Sequence, residues 1–142
     1  MEILGKCHCG NLSFVLRLDR ALEECRMGEC DCSFCVAHGA KCIADSRGRA
    51  TVRIRNPSEL NRYRFGFGTA DFLVCQVCGV YLGAVIESGG SAFSVLNLRA
   101  TDLHDLPAGR HSYAAETREA RIARRMKSWT PTEIIMERAP AA

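Results

Sequence analysis

Long apolar runs are missing from this sequence. No stretch approaches the roughly 18 residues that a membrane-spanning helix requires, so a helical membrane protein is not expected. Room for a secretory leader is missing too, because Cys7 follows Met1 almost at once, and the cytoplasm is the expected compartment. There are no internal repeats and no low-complexity segments, which sets aside solenoids and disordered tracts. Charge of one sign is also in short supply: a net +3 over 142 residues is too mild to imply a nucleic-acid partner.

What is present fits one ordinary domain with a real core, since 47% of the residues are hydrophobic and 25% charged. The unusual component is cysteine. Nine cysteines are far more than a chain of this length normally carries, and the number is odd. In a reducing compartment structural disulfides are rare, so closely spaced cysteines point first to metal.

The apolar pattern is mainly that of strands. Leu12, Phe14, Leu16 and Leu18 share one parity, as do Val52 with Ile54, and Tyr63 with Phe65 and Phe67. Val80 to Ile86 and Ala92 to Leu98 flank Ser88-Gly89-Gly90-Ser91 and read as a hairpin. From Ala115 to Trp129 the spacing of Ala115, Ile122, Met126 and Trp129 becomes helical, and Thr130-Pro131 should end that helix. A last strand is expected over Ile134 to Met136, with Ala139 to Ala142 fraying. The division is therefore a β-rich zinc domain over residues 1–110, and a C-terminal helix and tail over 111–142 packed on the same domain.

Three cysteine clusters carry the chemistry. Cys75-Gln76-Val77-Cys78-Gly79 is half of a zinc knuckle, with a glycine that lets the turn close. Cys7-His8-Cys9-Gly10 can supply the other half, because residues two apart in an extended segment face the same way. Four thiolates fill a tetrahedral site, so this one should be structural. Cys30, Cys32 and Cys35 offer only three ligands, the number that leaves a position open for catalysis. Three thiolates already make a zinc complex anionic. Such a site generates hydroxide poorly but can accept a further thiolate, so a thiol is the natural substrate.

The ordered set Gly5-Lys6-Cys7-His8-Cys9-Gly10, Cys30-x-Cys32-x-x-Cys35 with Gly39-Ala40, Tyr63-Arg64-Phe65-Gly66 and Cys75-x-x-Cys78-Gly79 resembles the glutathione-dependent formaldehyde-activating enzyme and centromere protein V family. The likeness runs from about Gly5 to Asn97-Leu98-Arg99. It implies a β-tent fold of several small antiparallel sheets around zinc. It also implies a structural zinc on Cys7, Cys9, Cys75 and Cys78, a catalytic zinc on Cys30, Cys32 and Cys35, and thus two zincs per chain. The implied activity joins a thiol such as glutathione to formaldehyde, a carbon–sulfur lyase when written in reverse. Where many relatives carry an arginine after the third cysteine of the triplet, this chain has Val36.

Arg64, Asn97 and Arg99 are the candidates for holding such a ligand, the guanidinium groups pairing with its carboxylates. Cys42 or His38 could instead close the second site as a fourth ligand, which would make the protein a non-catalytic zinc module for protein or nucleic-acid interaction. Cys25 and Cys42 otherwise read as packing thiols, Arg53 and Asp31 as outward-facing, and His104 and His111 as surface histidines. The helix from Arg118 to Lys127 is interrupted by Glu116 and Glu119 nearby and lacks an aromatic platform, so it reads as a solvated face rather than a nucleic-acid surface. Trp129 and Met126 should anchor it.

Overall fold

The computed structural model describes residues 1–137, so the expected fraying of Ala139 to Ala142 lies outside the described residues. The chain is mainly β with a short C-terminal helix, as its alternation implies. Strands β1 (Glu2–Lys6) and β2 (Leu12–Arg17) form an antiparallel hairpin whose turn contains the first cysteine pair. Along β2 the expected face is buried: Leu12 and Leu16 are wholly enclosed and Phe14 nearly so. Strand β5 (Arg49–Ile54) pairs with β2 and buries Val52 and Ile54 in the same core.

Two short elements that the alternation does not announce frame the second cysteine cluster. They are β3 (Arg26–Cys30) and helix α1 (Ser33–His38), followed by β4 (Cys42–Ala44), which pairs with β3. Each is six residues or shorter, too short for a period to emerge. Strand β6 (Leu60–Tyr63) is shorter than the aromatic spacing suggests. Gly66 and Gly68 take positive φ angles, so Phe65 and Phe67 fall in a turn instead of continuing the strand. Strand β7 (Asp71–Cys75) leads into the second cysteine turn. The hairpin of β8 (Tyr81–Ser88) and β9 (Ser91–Asn97) then closes on Gly89 and Gly90, both with positive φ, the turn that matches strand twist.

The C-terminal segment departs most from its reading as a tail. After β10 (Gly109–His111), helix α2 (Arg118–Ser128) is capped by Thr117 and ends at Trp129, as Thr130-Pro131 requires. Strand β11 (Thr130–Met136) then enters the middle of the sheet, parallel to β5 and antiparallel to β9. It is longer than Ile134–Met136 and joins strands that would otherwise form separate small sheets. The path β1-β2-β5-β11-β9-β4-β3-β10 is one hydrogen-bonded network, with β6, β7 and β8 branching from β9. Among the described residues, no helix is long and apolar enough to cross a membrane.

Candidate metal centres and an adjoining cavity

The turn of the first hairpin and the turn between β7 and β8 bring four sulfurs together. Cys7, Cys9, Cys75 and Cys78 place their Sγ atoms within 4.8 Å of one another. Gly10 and Gly79, both at positive φ, close the two turns, donating N–H bonds to the carbonyls of Cys7 and Cys75. Sγ separations are 3.7 Å for Cys7–Cys9 and 3.5 Å for Cys9–Cys75. Ligands at the usual zinc–sulfur length of about 2.3 Å, set tetrahedrally, lie about 3.8 Å apart. The donor set and its spacing therefore suit a tetrahedral, thiolate-binding metal such as zinc. Backbone N–H groups of Leu12 and Cys78 point at the sulfurs of Cys7 and Cys75, the second layer of support that metal thiolates need. Burial raises the Cys7 thiol to about 12. Burial also works against ionising Cys78, but N–H groups of Cys9 and Val80 and the neighbouring thiols bring it down to about 6.

Cys30, Cys32 and Cys35 form the second group within the same 4.8 Å limit. Cys30 ends β3, Cys32 caps α1 by accepting the Cys35 N–H at 3.4 Å, and Cys35 is buried in the helix's first turn. Gly39, in the left-handed conformation, ends the helix after six residues. The Cys32 N–H donates to the Cys30 sulfur and the Cys35 N–H to the Cys32 sulfur, and Cys32 is stabilised as a thiolate by the neighbouring thiols and by N–H groups of Cys35 and Phe34. It is held at about 2, with Cys30 and Cys35 pushed up. The site thus favours a thiolate at Cys32.

Neither suggested fourth ligand joins this group. His38 is exposed and lies against Phe34, with ring centroids 4.4 Å apart. Cys42 is turned to the Tyr81 hydroxyl, and burial lifts its thiol to about 12. Phe34 in turn contacts Tyr63, Phe65, Phe72 and Tyr81, so α1 rests on an aromatic bed that fixes the triplet.

The triplet opens onto a cavity of about 270 Å³. Phe65, Phe72, Tyr81, Val95 and Trp129 give it apolar walls, and Cys42 lies on it. The remaining wall comes from the C-terminal third: His111 and Tyr113, with Arg121, Arg124 and Arg125 of α2, facing Arg26 from β3. His111 packs so closely on Gly28 that any side chain there would overlap its ring, and its Nε2 lies 3.2 Å from the Met27 carbonyl.

The three candidate ligand-holding residues lie elsewhere. Arg64 is exposed and pairs with Asp71 at 2.6 Å, which raises its pKa further. Asn97 is buried and held in place, donating to Tyr81 O and accepting from the N–H groups of Lys41 and Arg99. Arg99 donates to the carbonyls of Gly39 and His104. None of them lines the cavity. Arg53 is an exposed strand residue beside Glu137, Asp31 is exposed at the cavity rim, His104 is exposed and Cys25 is a core thiol, as expected. His111 and the basic helix are not simply solvated, and Met126, unlike Trp129, is exposed. The helical phase of Arg121, Arg124 and Arg125 was the available sign, because these positions share one face and Lys127 lies off it, while Arg118, on the same face, stays exposed at the helix start.

No protein-family model matches the chain. No curated protein matches it either. Among solved structures it is similar to a crystal structure of a Rhodobacter sphaeroides protein, with 25% identity and a TM-score of 0.54, over 76% of this chain and 99% of that one. That likeness supports the fold and assigns no chemistry.

Proposed function

We propose that the chain is a zinc-dependent enzyme of carbon–sulfur chemistry, acting on the adduct of a thiol with a small aldehyde. The observation that carries this reading is the contrast between the two cysteine groups. Four thiols complete one set, which Cys7 and Cys75 anchor in the main core, whereas the three-thiol set adjoins the cavity. The resemblance to the glutathione-dependent formaldehyde-activating enzymes supports the same assignment.

Cys30, Cys32 and Cys35 would hold the metal, and zinc bound there would acidify a substrate thiol and fix its sulfur in place. In the reaction the thiol sulfur forms a bond to the aldehyde carbon, and the thiol proton ends on the former carbonyl oxygen, with no net redox change. The chain's own part is to bind and orient. Apolar walls exclude water from the aldehyde, and the Phe34 bed prevents the triplet from shifting. If His111 donates from Nε2 to Met27 O, Nδ1 remains as the ring's proton acceptor on the cavity wall.

The test has two stages. Protein purified reduced and without chelator should carry about two zincs per chain, and millimolar thiol should change the sulfur coordination seen by zinc X-ray absorption. Exchange spectroscopy should then show faster interconversion of formaldehyde and its thiol adduct with the wild-type protein than with Cys32→Ala. Coordination unchanged by thiol would instead mark a closed, non-catalytic zinc module and end the proposal.

A further inference from the structure

Four arginines line the cavity, but they are not equivalently placed. Arg121 and Arg124 share one carboxylate, Glu116, at 3.3 and 2.7 Å, and this pairing holds the Glu116 carboxyl below its ordinary range. Arg121 also donates to Tyr113 O, and the Arg124 guanidinium lies 3.6 Å from the centre of the Tyr113 ring. Arg26 is exposed and donates to the Tyr113 hydroxyl at 2.8 Å. These three build the wall.

Arg125 is left over. Its Nη1 reaches only a neutral group, the Thr69 hydroxyl at 3.0 Å, and its guanidinium lies 4.9 Å from the centre of the Trp129 ring. Its Nε is buried with no hydrogen-bond partner, and no carboxylate pairs with it among the described residues. Burial, with Arg124 and Arg121 close by, depresses its pKa to about 10, still charged at neutral pH. A partly buried guanidinium whose enclosed Nε donor is unused is costly unless something supplies an acceptor.

We propose that Arg125 is a specificity-determining residue that binds the anionic group of a small ligand, so that the cavity selects compact carboxylates with an apolar or aromatic body. A planar carboxylate matches the guanidinium fork of Arg125, which like Arg26 has no carboxylate of its own among the described residues. Phe65, Phe72, Tyr81 and Trp129 would enclose the apolar body. This deepens the thiol-adduct reading by naming the thiol's carrier as a small apolar carboxylate. It does not need that chemistry to be tested.

The probes are phenylacetate and its neutral isostere phenylacetamide, titrated into the zinc-loaded full chain by calorimetry and by amide chemical shifts. One charge-assisted contact to a partly buried partner predicts that the carboxylate binds about 10- to 100-fold more tightly than the amide. In Arg125→Gln that preference should collapse to within about 3-fold, while Arg125→Lys keeps part of it. Shifts should centre on α2, β8 and the triplet. Equal binding of the two probes by wild type, or no binding of phenylacetate at millimolar concentration, would overturn the assignment. So would a preference surviving intact in Arg125→Gln, and equal binding is also what an Arg125 that merely balances the neighbouring thiolates would give. Should Arg125→Gln fail to fold, the wild-type comparison and Arg125→Lys still decide. Failure of the thiol chemistry would leave the carboxylate preference untouched, so the two ideas fall separately.

Discussion

Replacing Cys78 by alanine tests whether one metal carries the stability of the whole chain. Cys78 lies on the turn between β7 and β8, and its three partners include Cys7 and Cys9 on the opposite turn of β1 and β2. A metal held there would crosslink two hairpins that are not neighbours in the sheet path. Cys7 and Cys75 are at most 1% exposed, so their sulfurs have no water to fall back on once the site is broken. A four-thiolate zinc site contributes about 10–16 kcal/mol in small zinc peptides. Net stability of an ordinary domain is about 5–15 kcal/mol. Losing one ligand weakens the metal and leaves the remaining thiols crowded, so Cys78→Ala should be unfolded or molten at 25 °C. The assay is thermal unfolding by circular dichroism together with metal content. Cys32→Ala is the paired control: it should lose about one zinc per chain yet keep a cooperative transition, because its triplet spans only the end of β3 and the start of the six-residue α1 beside a cavity. A folded Cys78→Ala protein melting within a few degrees of wild type would refute the crosslink argument.

Three further substitutions probe the cavity and the frame around it. Gly28→Ala drives a methyl into the His111 ring, so it should cost about 1–3 kcal/mol in urea unfolding and shift the His111 ring resonances. Trp129→Ala removes a side chain only 6% exposed and should cost about 3–5 kcal/mol by the same measurement, weakening phenylacetate binding as well. The Asp45 carboxylate is wholly buried. Burial alone would raise its pKa, but N–H bonds from Asp19 and Arg47 and the Arg20 ion pair at 2.8 Å outweigh it and hold the folded value below normal. A depressed folded pKa gives stability that is fully present above about pH 4 and is lost as pH falls through the folded value. Asp45→Asn should therefore lose about 2–4 kcal/mol at pH 7, with the gap to wild type narrowing on acidification in paired denaturant titrations.

Strand periodicity and cysteine spacing made the outer architecture and both thiol clusters legible, because each depends on local geometry. Leu12, Phe14 and Leu16 alternate whatever their partners, and Cys75-x-x-Cys78-Gly79 makes its turn from its own residues. Long-range choices were not legible. Nothing local in Thr130–Met136 says that it will sit between β5 and β9, and Pro131 reads as a stop until its paired neighbours are known. The same holds for Asn97, whose amide is consumed by Tyr81, Lys41 and Arg99 across three segments, although its position on a candidate strand suggested a ligand contact.

The placement of β11 explains why the cavity is built from both ends of the chain. The strand lies between two layers of core. On one side Ile134 packs against the cluster that contains Cys7, Leu12 and Cys75, and at its start Trp129 enters the cluster that contains Cys35, Phe72 and Tyr81. A parallel pairing with β5 needs a crossover, and the chain reaches β11 through α2, which brings its arginines over the triplet. The four-cysteine group and the cavity-facing group thus belong to different clusters of the core that meet along one strand. Substitutions on α2 would alter the cavity wall without touching Cys7, Cys9, Cys75 or Cys78. That separation is why the charge at Arg125 can be altered as a test of specificity, whereas Cys78 can be altered only as a test of folding.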